Sequence, residues 1–120
     1  MKRKKTDIFL HQYFNEWVHI YKLGAIRDTT LEKYYISHRH LVNLAPTLRL
    51  KDLNRKTYQQ LMNDFADTHE RQTTMDFHHQ VKSAIFDAFD DALIDRDPTR
   101  KVVIKGKVPV EKKAQYLNQF

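Results

Sequence analysis

The sequence predicts an all-α domain of four helices followed by an extended basic linker. Three observations predict it. Apolar residues recur at three- and four-residue spacing through four separate stretches, as they do on the buried face of a helix. The 120 residues include two glycines and three prolines, too few for the many tight turns of an all-β protein. Forty-one per cent of the residues are apolar and 30 per cent charged, an ordinary composition for one domain with one modest core. The expected divisions are a flexible basic tail over 1–6, a helical domain over 7–97 and a linker over 98–120.

The tail, Lys2-Arg3-Lys4-Lys5, reads as solvated chain that offers phosphate contacts without sequence preference. The first helix is expected from Asp7, a suitable cap, to Tyr21. Phe9, Tyr13, Phe14, Trp17, Val18 and Tyr21 form its stripe, and that spacing makes the aromatics core, with Trp17 a packing anchor. Gly24 suits the left-handed residue after a helix. Thr29 and Glu32 then read as a capping box for a second helix that carries Leu31, Tyr34, Tyr35, His38, Leu41 and Val42 and ends near Asn43. Arg27, Thr29, Thr30 and Lys33 cluster at its start, where free backbone N–H groups favour an anion. A plain cap with solvated charges accounts for the same residues.

Thr47 to Leu53 reads as a short extended link whose Leu48, Leu50 and Leu53 plug onto the core. Asn54 caps a third helix that carries Tyr58, Leu61, Met62 and Phe65, with Arg55 and Lys56 solvated at its start. The fourth helix is expected to run from Arg71 to the Asp97-Pro98 step, because proline disfavours helical geometry in the residue before it. Its stripe is Phe77, Val81, Ala84, Ile85, Ala88, Phe89, Ala92 and Leu93. Its other face begins with Arg71, Gln72, Thr74, His78 and Lys82 and ends with Asp87, Asp90, Asp91 and Asp95. A helix tuned for stability places acids first and bases last, to match its macrodipole. This one reverses the order, which points to a polyanion at its N-terminal end. Lys101 to Val110 reads as an extended basic segment with no local partner strand, and the uncapped finish implies a further domain beyond it.

The net charge of +6 favours a polyanionic partner, and its distribution says more than the total. Residues 1–60 hold 12 Lys and Arg against 5 Asp and Glu, residues 61–100 hold 4 against 9, and residues 101–120 hold 5 against 1. The absence of cysteine excludes disulfides and thiolate metal sites and fits a cytoplasmic home. No apolar run approaches the ~20 residues that span a bilayer, so no membrane partner is expected. His38 and His40 are two apart and His78 and His79 adjacent, spacings that put no two imidazoles on one helical face, so no metal site is expected. No G-x-S-x-G elbow or phosphate-cradling glycine loop is present, and neither catalytic residues nor a cofactor are expected.

In order and spacing these motifs resemble the N-terminal core-binding (SAM-like) domain of phage and transposon integrases of the tyrosine recombinase family. The resemblance spans roughly 7–117. It rests on Phe14-Asn15-Glu16-Trp17, on Arg27 to Tyr34, on Leu50-Lys51-Asp52-Leu53, on Arg71-Gln72-Thr73-Thr74 and on Leu93 to Pro98, with Asp97 where the family usually has Asn. It implies a four-helix clamp on double-stranded DNA at the core recombination site, opposite a catalytic domain of the same chain and beside other integrase protomers. By position it assigns DNA contacts to Arg27, Thr29, Thr30 and Lys33, to Arg71, Gln72, Thr73, Thr74, His78 and Lys82, and to Lys101, Lys105 and Lys107 of the linker. The starts of the second and fourth helices would then form two prongs, Thr73 and Thr74 matching Thr29 and Thr30. The family's catalytic residues belong to the later domain, and none of the six tyrosines matches the nucleophile. No counterpart of the family's arm-binding domain stands at the front. A helical protein-interaction module and a stand-alone helix-turn-helix regulator are the alternative readings.

Overall fold

Four helices form where the apolar spacing places them, and three of their boundaries differ from expectation for reasons visible in the backbone. The computed structural model describes residues 5–108. Its helices are α1 (Leu10–Tyr21), α2 (Asp28–Leu44), α3 (Arg55–Ala66) and α4 (Arg71–Asp90), with 3-10 turns at Lys5–Asp7 and Leu50–Asp52. The basic tail up to Lys4 and the linker beyond Val108 lie outside the described residues.

α1 starts at Leu10 rather than Asp7 because the preceding residues pair with the link before α3. The Leu10 amide donates to the Leu48 carbonyl at 2.7 Å, and the Leu50 amide to the Ile8 carbonyl at 3.1 Å. Asp7 instead meets the Lys51 ammonium at 3.3 Å. Gly24 does adopt the left-handed region, with φ 83°. α2 begins one residue before the expected capping box. The Arg27 carbonyl accepts from the amides of Thr30 and Leu31 at 3.0 and 2.9 Å, so Arg27 is the N-cap and Thr29 caps nothing. That start puts Asp28 where the helix dipole favours an acid and sets a full turn ahead of Leu31, the first buried residue of α2. At α3 the expected cap holds. Asn54 Oδ1 accepts from the Thr57 amide, and Thr57 Oγ1 accepts from the Asn54 amide, both at 2.9 Å.

α4 stops at Asp90, seven residues short of Asp97. The Leu93 amide donates to the Ala88 carbonyl at 2.9 Å and the Ala92 amide to the Phe89 carbonyl at 3.0 Å, the paired bonds of a Schellman ending. Ala92 takes the left-handed position of that motif with φ 60°, although an alanine Cβ is unwelcome there. Ala92 is therefore exposed rather than part of the apolar stripe, and the chain turns back so that Ile94 packs on the core.

Every helix contributes to one core, and α4 is its centre. Phe14, Val18, Leu41, Tyr58, Met62, Val81 and Ile85 are almost wholly buried, and the buried alanines Ala84 and Ala88 admit close neighbours. Truncating Val81 or Ile85 is expected to cost about 2–4 kcal/mol. Side-chain hydrogen bonds tie α4 to the other three helices, one to each. The Trp17 indole of α1 donates to Asp87 Oδ2 at 2.7 Å, the Ser37 hydroxyl of α2 donates to Gln80 Oε1, and the Tyr58 hydroxyl of α3 shares a 2.7 Å bond with His78 Nδ1. Trp17 is the expected packing anchor, and Asp87 is its partner rather than a solvated acid.

The segment after α4 returns over the domain. The Asp97 carboxylate accepts from the Thr99 amide at 2.9 Å and the Thr99 hydroxyl at 2.5 Å, with Pro98 and Thr99 buried. These bonds need an oxygen acceptor, which Asp supplies as well as Asn would. Residues 101–107 then run extended across α3 to the start of α4, where the Lys107 amide donates to the His69 carbonyl at 2.9 Å.

Candidate nucleic-acid interface

The thirteen residues assigned to DNA contact separate into three exposed groups, the isolated Lys82 and two misfits. Arg27, Thr29, Thr30 and Lys33 are all exposed on the first turns of α2. Arg71, Gln72 and Thr73 are exposed on the first turn of α4. Lys101, Lys105 and Lys107 are exposed on the returning segment. Lys82 lies half-buried further along α4.

Thr74 and His78 do not belong with them. Thr74 is fully buried, and its hydroxyl donates to the Glu70 carbonyl at 3.0 Å. His78 is 7% exposed and bound to Tyr58. Burial pushes the His78 imidazole down to about 4, helped by His79 and Lys82 and opposed by Asp97, so it is neutral at pH 7. Burial likewise raises the Tyr58 hydroxyl, with Asp97 adding to it, so the pair carries no charge for a phosphate. Helical spacing explains the error. Both residues stand a few positions from true surface residues, and in sequence a polar residue on the buried side of a helix looks like one on the exposed side.

The two helix starts are not adjacent prongs. Ser37 of α2 meets Gln80 of α4, and His40 lies 6.1 Å from Phe77, so residue numbers rise along α2 as they fall along α4. The pair is antiparallel. The start of α2 therefore lies beside the C-terminal half of α4, with Tyr34 6.0 Å from Trp17 and Trp17 on Asp87. The start of α4 lies beside the end of α2. Seventeen residues of α2 set the two ends roughly 25 Å apart.

Between them runs a groove of about 150 Å³, lined from α2 by Lys33, Ile36 and His40 and from α4 by Thr73, Asp76 and Gln80, with Phe65 and Phe77 beneath. His69 stacks on Phe65 at 3.9 Å, and His40 meets both edge-on. Burial first, then His69 and Arg39, lowers the His40 imidazole, so the groove wall is polar but uncharged there. Along α4 the contacts split between its flanks. Arg71 and Lys82 share the flank where His78 meets α3, whereas Thr73 shares the flank where Gln80 meets α2.

The acidic end of α4 lies against α1. Burial and then the carboxylates of Asp87 and Asp91 raise the Tyr13 hydroxyl to about 12. Arg55 and Lys56, set aside as solvated, line a concavity of about 760 Å³ with Lys51, Arg96, Asp95 and Asp97. Its charge is mixed, and it shares no lining residue with the α2–α4 groove. Among the described residues one ion pair forms, Lys51 with Asp7, and none of the exposed cations assigned to DNA takes part in it. No described helix is long and apolar enough to cross a membrane.

The structure is similar to the N-terminal domain of prophage pi2 protein 01, an integrase from Lactococcus lactis. The match has 28% identity, covers 82% of this chain and 93% of that one, and has a TM-score of 0.78. A phage integrase fragment from Staphylococcus saprophyticus matches at 26% identity over 78% of this chain and 86% of that one, with a TM-score of 0.68. No family model and no curated relative matches the sequence. The likeness agrees with the four-helix fold and with the integrase resemblance carried by the sequence motifs.

Proposed function

We propose that this integrase-like N-terminal helical domain binds double-stranded DNA. In this reading it is the core-site half of a clamp whose other half is the catalytic domain of a tyrosine site-specific recombinase, acting in the cytoplasm with other protomers assembled on the same DNA. The observation that carries the reading is the set of exposed donors gathered at the starts of α2 and α4. Arg27, Thr29, Thr30 and Lys33 stand exposed at one end and Arg71, Gln72, Thr73, Lys105 and Lys107 at the other, and among the described residues no acidic partner lies within 4.0 Å of any of these cations. Two clusters roughly 25 Å apart, about twice the width of a major groove, suit phosphates that lie beyond its two edges. Threonine hydroxyls and lysines suit the phosphates. Arginine and Gln72 suit base edges, although Gln72 must first release Asp76, to which it donates at 3.1 Å.

Within this reading the chain supplies position and no chemistry. The test is titration against duplex DNA at several salt concentrations. Binding that weakens steeply with salt is the expected result. Absent or salt-insensitive binding would instead favour a protein-interaction module.

A further inference from the structure

Residues 101–107 alternate strictly. Val102, Ile104 and Gly106 turn inward, while Lys101, Val103, Lys105 and Lys107 are exposed. All three lysines therefore share one edge, spread over roughly 20 Å of extended chain. Two uncharged residues fix that register. Gln59 of α3 clamps Val103 from both sides: Gln59 Nε2 donates to the Val103 carbonyl at 2.8 Å, and the Val103 amide donates to Gln59 Oε1 at 2.9 Å. Asn63 Oδ1 accepts from the same Gln59 amide at 2.8 Å and holds it in place. Gly106 lies directly on the first turn of α4. A Cβ there would stand 2.1 Å from the Arg71 nitrogen, 2.4 Å from its Cα and 2.6 Å from the Glu70 carbonyl carbon, all backbone atoms that cannot yield.

We infer that residues 99–107 are a built strap of this domain rather than a free tether, and that Gln59 and Gly106 are positioning residues that hold Lys101, Lys105 and Lys107 in register as a preformed row for a polyanionic strand, here the DNA backbone. A row held in place loses less freedom on binding than lysines on a loose chain, so the ordering cost is met by folding instead of by the complex. The strap also brings Lys105 and Lys107 beside Arg71, joining the linker charges to the α4 cluster. The inference rests on the DNA-binding reading above.

The test uses charge-neutral substitutions in the 120-residue chain. Gln59→Met keeps the aliphatic stem and removes both bonds to Val103, and Gly106→Ala lifts the end of the strap. Each is compared with wild type and with the Lys101→Gln, Lys105→Gln, Lys107→Gln triple variant in duplex titrations between 50 and 200 mM salt. The triple variant defines the loss of slope, about two phosphate contacts, which shrinks the affinity ratio across that range roughly tenfold. If the strap positions the row, both neutral variants lose a large part of the same slope, and hydrogen exchange at the Val103 and Lys107 amides speeds up. A purely structural role would change melting temperature and leave the slope at the wild-type value, and that result overturns the inference. Wild-type chain that shows no salt-dependent binding at all overturns the DNA-binding reading instead.

Discussion

Two stretches of this chain share the pattern Arg-x-Thr-Thr, at Arg27 to Thr30 and at Arg71 to Thr74, and both open a helix. Their fates differ. In α2 the arginine is the N-cap, so both threonines fall in the exposed first turn. In α4 the N-cap is Glu70, the arginine is already helical, and the second threonine falls one position deeper, onto the buried face. A shift of one residue in register is a rotation of about 100° around the helix, enough to turn a surface hydroxyl into a core one. The surroundings differ as well. The start of α4 is joined by the strap and its lysines, whereas the start of α2 stands bare beside the acidic half of α4.

Four experiments would break or sharpen that contrast. The largest effect is expected from the acids near the start of α2, which are of two kinds. Asp87→Ala leaves the buried Trp17 indole without an acceptor and should cost about 2 kcal/mol of stability, read by chemical denaturation. Asp91→Asn, at an exposed carboxylate, should leave stability within about 0.5 kcal/mol of wild type and strengthen DNA binding slightly. If the two variants behave alike, the division of the acids is wrong. Next come the clusters themselves. Removing Arg71, Lys105 and Lys107 together should weaken DNA binding about tenfold or more at low salt, whereas Arg27→Ala with Lys33→Ala should cost only a few fold, because nearby acids already offset that end. An equal loss from the two ends would remove the contrast.

His78 offers a pH test of burial on α4. Its folded pKa is depressed below its unfolded value of about 6.5, so the stability it contributes is complete above that pH and lost as pH falls towards about 4. The melting temperature of wild type should fall over that window, and His78→Gln should flatten part of the fall. An unchanged profile in the variant would mean that His78 is solvated after all. The smallest effect concerns the two second threonines. Thr30→Val should lower DNA affinity about two- to threefold, whereas Thr74→Val should leave affinity unchanged and alter stability by about 1 kcal/mol or less.

The apolar periodicity alone determined the four helices, their order and most of the core, because burial of one helical face writes a three- and four-residue spacing that survives without the partner helices. Local chemistry was equally legible where it is self-contained, as at the Asn54 cap and at Gly24. The basic character of the α2 and α4 starts was legible too, since net charge needs no structure. The end of α4 was not. Proline at position 98 marked a boundary, but the actual stop at Asp90 comes from a turn in which Ala92 adopts a conformation alanine disfavours, held by bonds to Ala88 and Phe89 and by the packing of Ile94.

The tertiary structure alone decided which polar residues face water and how the charged ends are arranged. Thr74 and Thr73 differ by a rotation that matters only once α4 has neighbours on three sides. Asp87 reads as one more surface acid until Trp17, seventy residues away, donates to it. The antiparallel crossing of α2 and α4 placed two similar starts at opposite ends of a groove, and the strap brought the distant Lys105 and Lys107 to one of them. Such contacts join residues far apart in sequence, and their geometry is set by packing, which leaves no local periodicity from which it can be read.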